Sequence, residues 1–316
     1  MKFVFVILTL LFLGGIGFSF YISKMKTQNF SREIAGMERK SFCLGRFLVD
    51  IPANASLASQ SQTIANLKVE VEKNEPKKTV EEIIQAMTLE ISKLPAPADE
   101  SATIINSISL GDEAWGIVFH DSTEVLESIK LRGVRLVGDK LFRITAGAEI
   151  DQADELIRLA RSIASAISLS KNPLQPTFCL QEGFLNLPFE YQESVEAAFD
   201  FEDSSKLTIE TRSIGRETPV SLGAEAKETL ANLGANGVKP ALLRSGMRKI
   251  ADMSGEELLI ETADERSALF QWRFIGDPKS GERPYIQITV DANDVTNAKK
   301  LITIWDLVLD SLRRNL

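Results

Sequence analysis

The chain has 316 residues, 44% hydrophobic and 25% charged, with a net charge of −8; these values exclude a collagen, a mucin-like stalk or a wholly disordered chain, and predict about two domains. The acidic balance, Asp+Glu 44 against Lys+Arg 36, gives no electrostatic footprint for a phosphate backbone and disfavours nucleic acid as a partner. One His and two Cys remove most zinc sites and leave His120 as the sole histidine for a Ser–His–Asp catalyst.

Residues 3–22 carry no charge, follow Lys2 and precede Lys24 and Lys26. About 20 apolar residues span a bilayer as a helix. The same segment fits a signal peptide, with Gly15 and Gly17 at small-residue spacing. Residues 1–22 are therefore a signal peptide or a membrane anchor, 23–41 are a polar, basic linker, and the remainder is expected across the membrane, in the periplasm.

From there the sequence repeats. Phe42 opens FCLGRFLVDIP, ending at Pro52, and Phe178 opens FCLQEGFLNLP, ending at Pro188; Phe, Cys, Leu and the final Pro coincide without a gap. In the first copy Leu67, Val69 and Val71 alternate with charge as a half-buried strand, and Thr79 with Glu82 has capping-box spacing before a face of Val80, Ile83, Ile84, Met87, Ile91 and Leu94. In the second copy Leu207–Arg212 alternates similarly, and Ser221 is a candidate N-cap before Leu222, Ala226, Leu230 and Leu233. Strands are expected near Ile104–Leu110, Trp115–Phe119, Ser128–Val137 and Lys140–Ala146, and again near Met247–Met253, Glu257–Thr262, Leu269–Ile275 and Tyr285–Val290. Asp151 and Asp294 open closing helices with faces at Leu156, Ile157, Ala160, Ile163 and Ile167, and at Leu301, Ile302, Trp305, Val308, Leu309 and Leu312. Runs of strands bracketed by helices predict an α+β fold of two tandem homologous domains, 42–170 and 178–316, each a mainly antiparallel sheet with flanking helices, joined by a linker at 171–177. Two such domains leave a cleft between them.

The chemistry-bearing residues are few. His120 ends an expected strand beside Asp121; neighbours on a strand point to opposite faces, so the pair is read as polar surface and not as a catalytic dyad. There is no Gly-x-Ser-x-Gly elbow, Walker A sequence or dinucleotide fingerprint, and no pair of carboxylates stands out as a glycosidase pair. No catalytic, metal-binding or cofactor-binding residue is assigned. Cys43 and Cys179 leave two readings open: a disulfide, as export favours, or two buried small hydrophobes, since equivalent positions in two separate cores lie far apart. The loop from Phe274 to Tyr285 is longer than a hairpin needs and is polar, so Asp277, Lys279, Glu282, Arg283 and Tyr285 are candidate partner contacts, with a plain surface insertion as the alternative.

The run Cys43–Pro52, placed just after an exported segment, resembles the first domain of the type VI secretion lipase-effector immunity family, and Phe178–Pro188 resembles the start of that family's second domain. The resemblance implies a periplasmic or membrane-attached inhibitor, not an enzyme, that clamps a cognate lipase effector between two domains. It assigns no contact residues. The alternatives are an exported hydrolase using cleft carboxylates and an envelope scaffold protein.

Overall fold

The computed structural model describes residues 37–315, apart from 74–77, 97–102, 122–124, 126, 172–176, 190–191, 202–204, 215–219, 236–238, 263–265, 294 and 296–297. The expected anchor or signal, most of the basic spacer and most of the 171–177 linker lie outside the described residues. Among those described, no helix is long and apolar enough to cross a membrane.

The chain begins with a hairpin of β1 (Arg39–Leu44) and β2 (Phe47–Pro52), followed by β3 (Ser56–Ile64) and β4 (Leu67–Lys73). Helix α1 (Val80–Ile91) precedes β5 (Ile104–Gly111), β6 (Ala114–His120), β7 (Ser128–Val137) and β8 (Lys140–Glu149). A 3-10 turn at Ile150–Gln152 leads into α2 (Ala153–Ala166) and the short β9 (Ile167–Ser168). The second half runs through β10 (Phe178–Leu180), β11 (Gly183–Leu185), β12 (Ser194–Asp200), β13 (Ser205–Arg212) and α3 (Leu222–Ala235). It continues with β14 (Pro240–Ile250), β15 (Met253–Thr262), β16 (Ser267–Phe274), β17 (Tyr285–Ala292), α4 (Ala298–Ser311) and β18 (Arg313–Arg314).

Local chemistry explains most boundaries. The α1 capping box is closed: Glu82 N–H donates to Thr79 Oγ1 at 3.3 Å, and Thr79 N–H donates to Glu82 Oε2 at 2.9 Å. Ser221 Oγ accepts from Ala224 N–H at 3.2 Å at the start of α3. Ala65 and Asn66, with φ of 49° and 64°, make the two-residue turn between β3 and β4. Two boundaries differ from expectation. Met247–Met253 is not one strand, because Ala251 and Asp252 take φ of 48° and 65° and turn the chain between β14 and β15 without a Gly or Pro to mark it. Asp151 lies in the 3-10 turn, two residues before the helix proper begins at Ala153.

The fold is α+β and mainly antiparallel. Twelve strands form one sheet in the order β14-β15-β16-β17-β13-β12-β3-β4-β8-β7-β6-β5. The halves meet where β12 pairs with β3, from Ser194–Thr63 to Asp200–Ser56. The sequence reading missed both of these strands. Two small sheets cross over between the halves: β1 and β2 pair with β18 from the chain's end, whereas β10 and β11 pair with β9, which follows α2. The largest apolar cluster runs through both halves and takes in Leu156, Ala160 and Ile163 of α2 and Leu301, Trp305 and Val308 of α4. Trp305 Nε1 donates to Glu257 Oε1 at 2.8 Å, and Arg248 bridges Glu257 and Asp306, so α4 is fixed to the sheet by polar bonds as well as by packing.

Candidate partner-binding surface

Strand register assigns every side chain of the sheet to a face. Ile117, Arg132, Thr145, Lys68, Thr63, Ser194, Arg212 and Tyr285 stand in one transverse row on successive strands, so they share a face. At one end of that face α1 packs Ile83, Met87 and Ile91 on Ile117, Phe119, Val134 and Leu141. At the other end α3 packs Leu222 and Ala226 on Leu258 and Ile260. Register carries the face from Arg212 through Gln287 and Arg273 to Glu256, the neighbour of Leu258 along this row of β15. Both helices therefore stand on the same side, while α2, α4 and the small sheets cover the opposite side.

Between the two helices lies a floor of six strands, β8, β4, β3, β12, β13 and β17. At a spacing of about 4.8 Å it is roughly 24 Å wide. Its side chains are polar: Ser59, Ser61 and Thr63 on β3, Glu196 on β12, and Thr208 and Glu210 on β13 are examples. Arg143–Glu72 at 2.7 Å, Lys68–Glu70 at 2.6 Å and Arg212–Glu210 at 3.0 Å neutralise much of the charge. Glu196 stands directly opposite Glu210 and has no ion-pair partner among the described residues. Like charges across a strand pair repel, so this point of the floor favours a cation from outside.

The walls carry exposed apolar groups. Trp115 lies in the row Trp115–Val134–Arg143–Glu70 beside the floor, Leu89 projects from α1, and Val220 precedes α3. Arg273 pins the α3 wall. It is buried, donates to Glu225 Oε1 and Oε2 at 2.8 Å each and to Val220 O at 3.0 Å, and reaches Gln287 on the floor at 2.9 Å.

Of the candidates from sequence, Tyr285 stands on the floor face and the other four lie in the loop before it. Asp277 and Arg283 pair with each other at 2.6 Å, and Glu282 faces Arg314 at 3.5 Å. Lys279 donates its backbone N–H to Ile214 O, and Gly281 lies against the Phe189 ring. Tyr285 is covered by its neighbours on that face: it is 5% exposed, with its hydroxyl donating to Gln287 Oε1 at 2.6 Å and Arg212 stacked on its ring. Burial pushes the Tyr285 phenol above its ordinary pKa and keeps it a donor. The loop is thus held down by the Asp277–Arg283 pair within it and by bonds to Ile214 and Arg314 outside it.

His120 is not a surface residue. It is 6% exposed, and its Nδ1 has no hydrogen-bond partner. Asp121 pairs with Lys130. Among the described residues no group of carboxylates, His or Cys could hold a metal ion.

Cys43 and Cys179 form a disulfide, with Cα atoms 5.7 Å apart. The expected distance between two separate cores does not arise, because β1 and β10 meet where the halves join: Cys179 N–H donates to Gly45 O at 2.7 Å. Arg46, in the first hairpin's turn, reaches the second half through Glu193 at 2.5 Å and the carbonyls of Leu187 and Pro188. None of these contacts between halves could be read from spacing alone.

Residues 171–315 match the model of the Tle cognate immunity protein 4 C-terminal domain. The whole described fold is also shared. The apo structure of immunity protein TplEi of the type VI secretion system from Pseudomonas aeruginosa matches with a TM-score of 0.76 at 18% identity, covering 89% of this chain and 98% of that one. The Tle4–Tli4 complex matches with a TM-score of 0.78 at 17% identity, covering 87% and 97%. TplEi complexed with an "L" peptide matches at 0.71 and 16% identity, covering 87% and 97%. No curated protein matches by sequence. Within the stretch that matches this family model lie β12, β13 and β17 of the floor and the α3 wall; the first half supplies the rest.

Proposed function

We propose that this chain is an immunity protein that binds a type VI secreted lipase effector and inhibits it by stoichiometric clamping, the two halves contributing one wall each. The observation that carries this is the polar floor, open between α1 and α3, that both halves build together. The family model that the second half matches and the Tle4–Tli4 neighbour supply the partner class. A surface of this size readily gives the roughly 800 Å² per partner of a specific complex.

On this reading the protein is not an enzyme: it blocks its partner by occupying it. The two halves are copies of one α+β domain, a view supported by the paired FCL…P motifs and by the matching order β3-β4-β8-β7-β6-β5 and β12-β13-β17-β16-β15-β14 outward from the junction. Residues 1–22 export the chain to the periplasm as anchor or signal. The Cys43–Cys179 bridge supports that compartment, since disulfides persist where the environment oxidises.

The test is survival of cells expressing a periplasm-directed cognate lipase, with this protein titrated against it. Protection should saturate at one molecule per lipase. Protection by far fewer molecules would mean turnover and would refute the clamp.

A further inference from the structure

The first half has an opening in its sheet that the second half lacks. Strands β12 and β13 pair from Ser194–Arg212 to Asp200–Lys206. Strands β3 and β4, in the corresponding place, pair only at Ile64–Leu67 and Thr63–Lys68. Beyond that they part. β3 follows β12, β4 follows β8, and a hollow of about 320 Å³ lies between, lined among others by Gln60, Gln62, Val69 and Val71.

Backbone geometry fixes what faces this hollow. The Ala65–Asn66 turn is of the two-residue type whose flanking residues, Ile64 and Leu67, bond to each other. Backbone groups in an antiparallel pair alternate sides. Counting outward, Gln60 and Val71 direct their N–H and C=O groups at each other across the gap, beyond the last paired residues of the two strands. The Gln60 side-chain Nε2 is also without a partner. Gln62 is already engaged, donating to Cys179 O at 2.6 Å and accepting from Gln181 N–H at 3.2 Å. Two unpaired strand edges facing each other are a template for an added strand.

We propose that an extended peptide segment of the partner protein enters the fork between β3 and β4 and completes the sheet there, parallel to one strand and antiparallel to the other. Its backbone bonds Gln60 on one side and Val71 on the other. Its alternate side chains rise onto the floor beside Ser61 and Glu70, or descend toward Gln60 and Gln181, where small polar groups fit the amides. This rests on the reading of the chain as an effector-binding protein and deepens it by naming one docking mode.

The test uses the full chain and the cognate lipase of the survival assay. Val71→Pro removes the N–H aimed into the fork and leaves the bonds of β4 to β8, made by Lys68, Glu70 and Glu72, in place. Binding should weaken about tenfold, the equivalent of one or two backbone hydrogen bonds, while Val71→Ala binds as the parent does. Hydrogen exchange on the unmodified complex gives a second reading, independent of how the proline variant folds: the Gln60 and Val71 amides, fast in the free protein, should become protected. Unmodified protein that binds the lipase with both amides still exchanging freely overturns the fork as a docking site and leaves the clamp standing. Unmodified protein that binds no lipase overturns the functional reading, and this proposal with it.

Discussion

Single residues hold the junction of the halves. Arg46 and Glu193 are both nearly buried, so Arg46→Ala breaks their ion pair together with the bonds to the Leu187 and Pro188 carbonyls and should cost about 3–5 kcal/mol, measured by denaturant unfolding. Gly45 has φ of 58°, and an added Cβ would sit 2.8 Å from Val195 Cγ2; Gly45→Ala should cost roughly 2 kcal/mol. Burial alone would raise the Asp50 carboxyl, but hydrogen bonds from Ser41 and Arg313 and the Arg313 charge outweigh it and hold the group below its ordinary value. A lowered folded pKa stabilises fully above the unfolded value near pH 4 and is lost as pH falls through the folded one. Asp50→Asn should therefore flatten the acid side of the stability profile and leave the alkaline side unchanged. On the floor, Glu196→Gln relieves repulsion from Glu210. It should raise stability by a few tenths of a kcal/mol yet slow association with the partner, an opposition that unfolding and binding kinetics can display together.

At the scale of elements, the walls are set by a few contacts. Arg273→Ala frees the start of α3 from Glu225 and Val220, and should weaken partner binding more than it lowers global stability, because the apolar patch that Leu222 and Ala226 make with Leu258 and Ile260 is small. Hydrogen exchange along Leu222–Ala235 would register the loosening. These elements were unequally legible from sequence. The bounds expected for β7, Ser128–Val137, are those observed, since its apolar residues alternate between two packed faces. β3 was invisible because SLASQSQTI lays Ser and Thr on the open floor, while on its other face Gln62 bonds the backbone of the hairpin beneath. β12 hid behind small residues, Ala197 and Ala198. The floor itself could not be singled out, because charged residues that await a partner read the same as charged residues that face water. The Phe274–Tyr285 loop stood out for its length and polarity, but Asp277 and Arg283 are spent on each other and Glu282 on Arg314.

At the scale of the whole molecule, the link between halves does not depend on the peptide connecting them. A protease site placed within 172–176 and cut should leave both halves together on a sizing column, held by the β3–β12 ladder and the crossed small sheets. On a denaturing gel the cut protein should run as one band until reductant opens Cys43–Cys179. Two fragments parting before reduction would contradict the bridge.

The crossing of β18 onto β2 also sets an order in time. The hairpin at Arg39–Pro52 is among the first described parts to leave the ribosome or a translocation pore, yet the strand that completes it, Arg313–Arg314, is among the last. The hairpin therefore lacks its third strand until Arg313–Arg314 has been made. A chain stopped after Leu312 would be unfinished at its first hairpin, with Leu48 and Phe47 missing the strand they pair with.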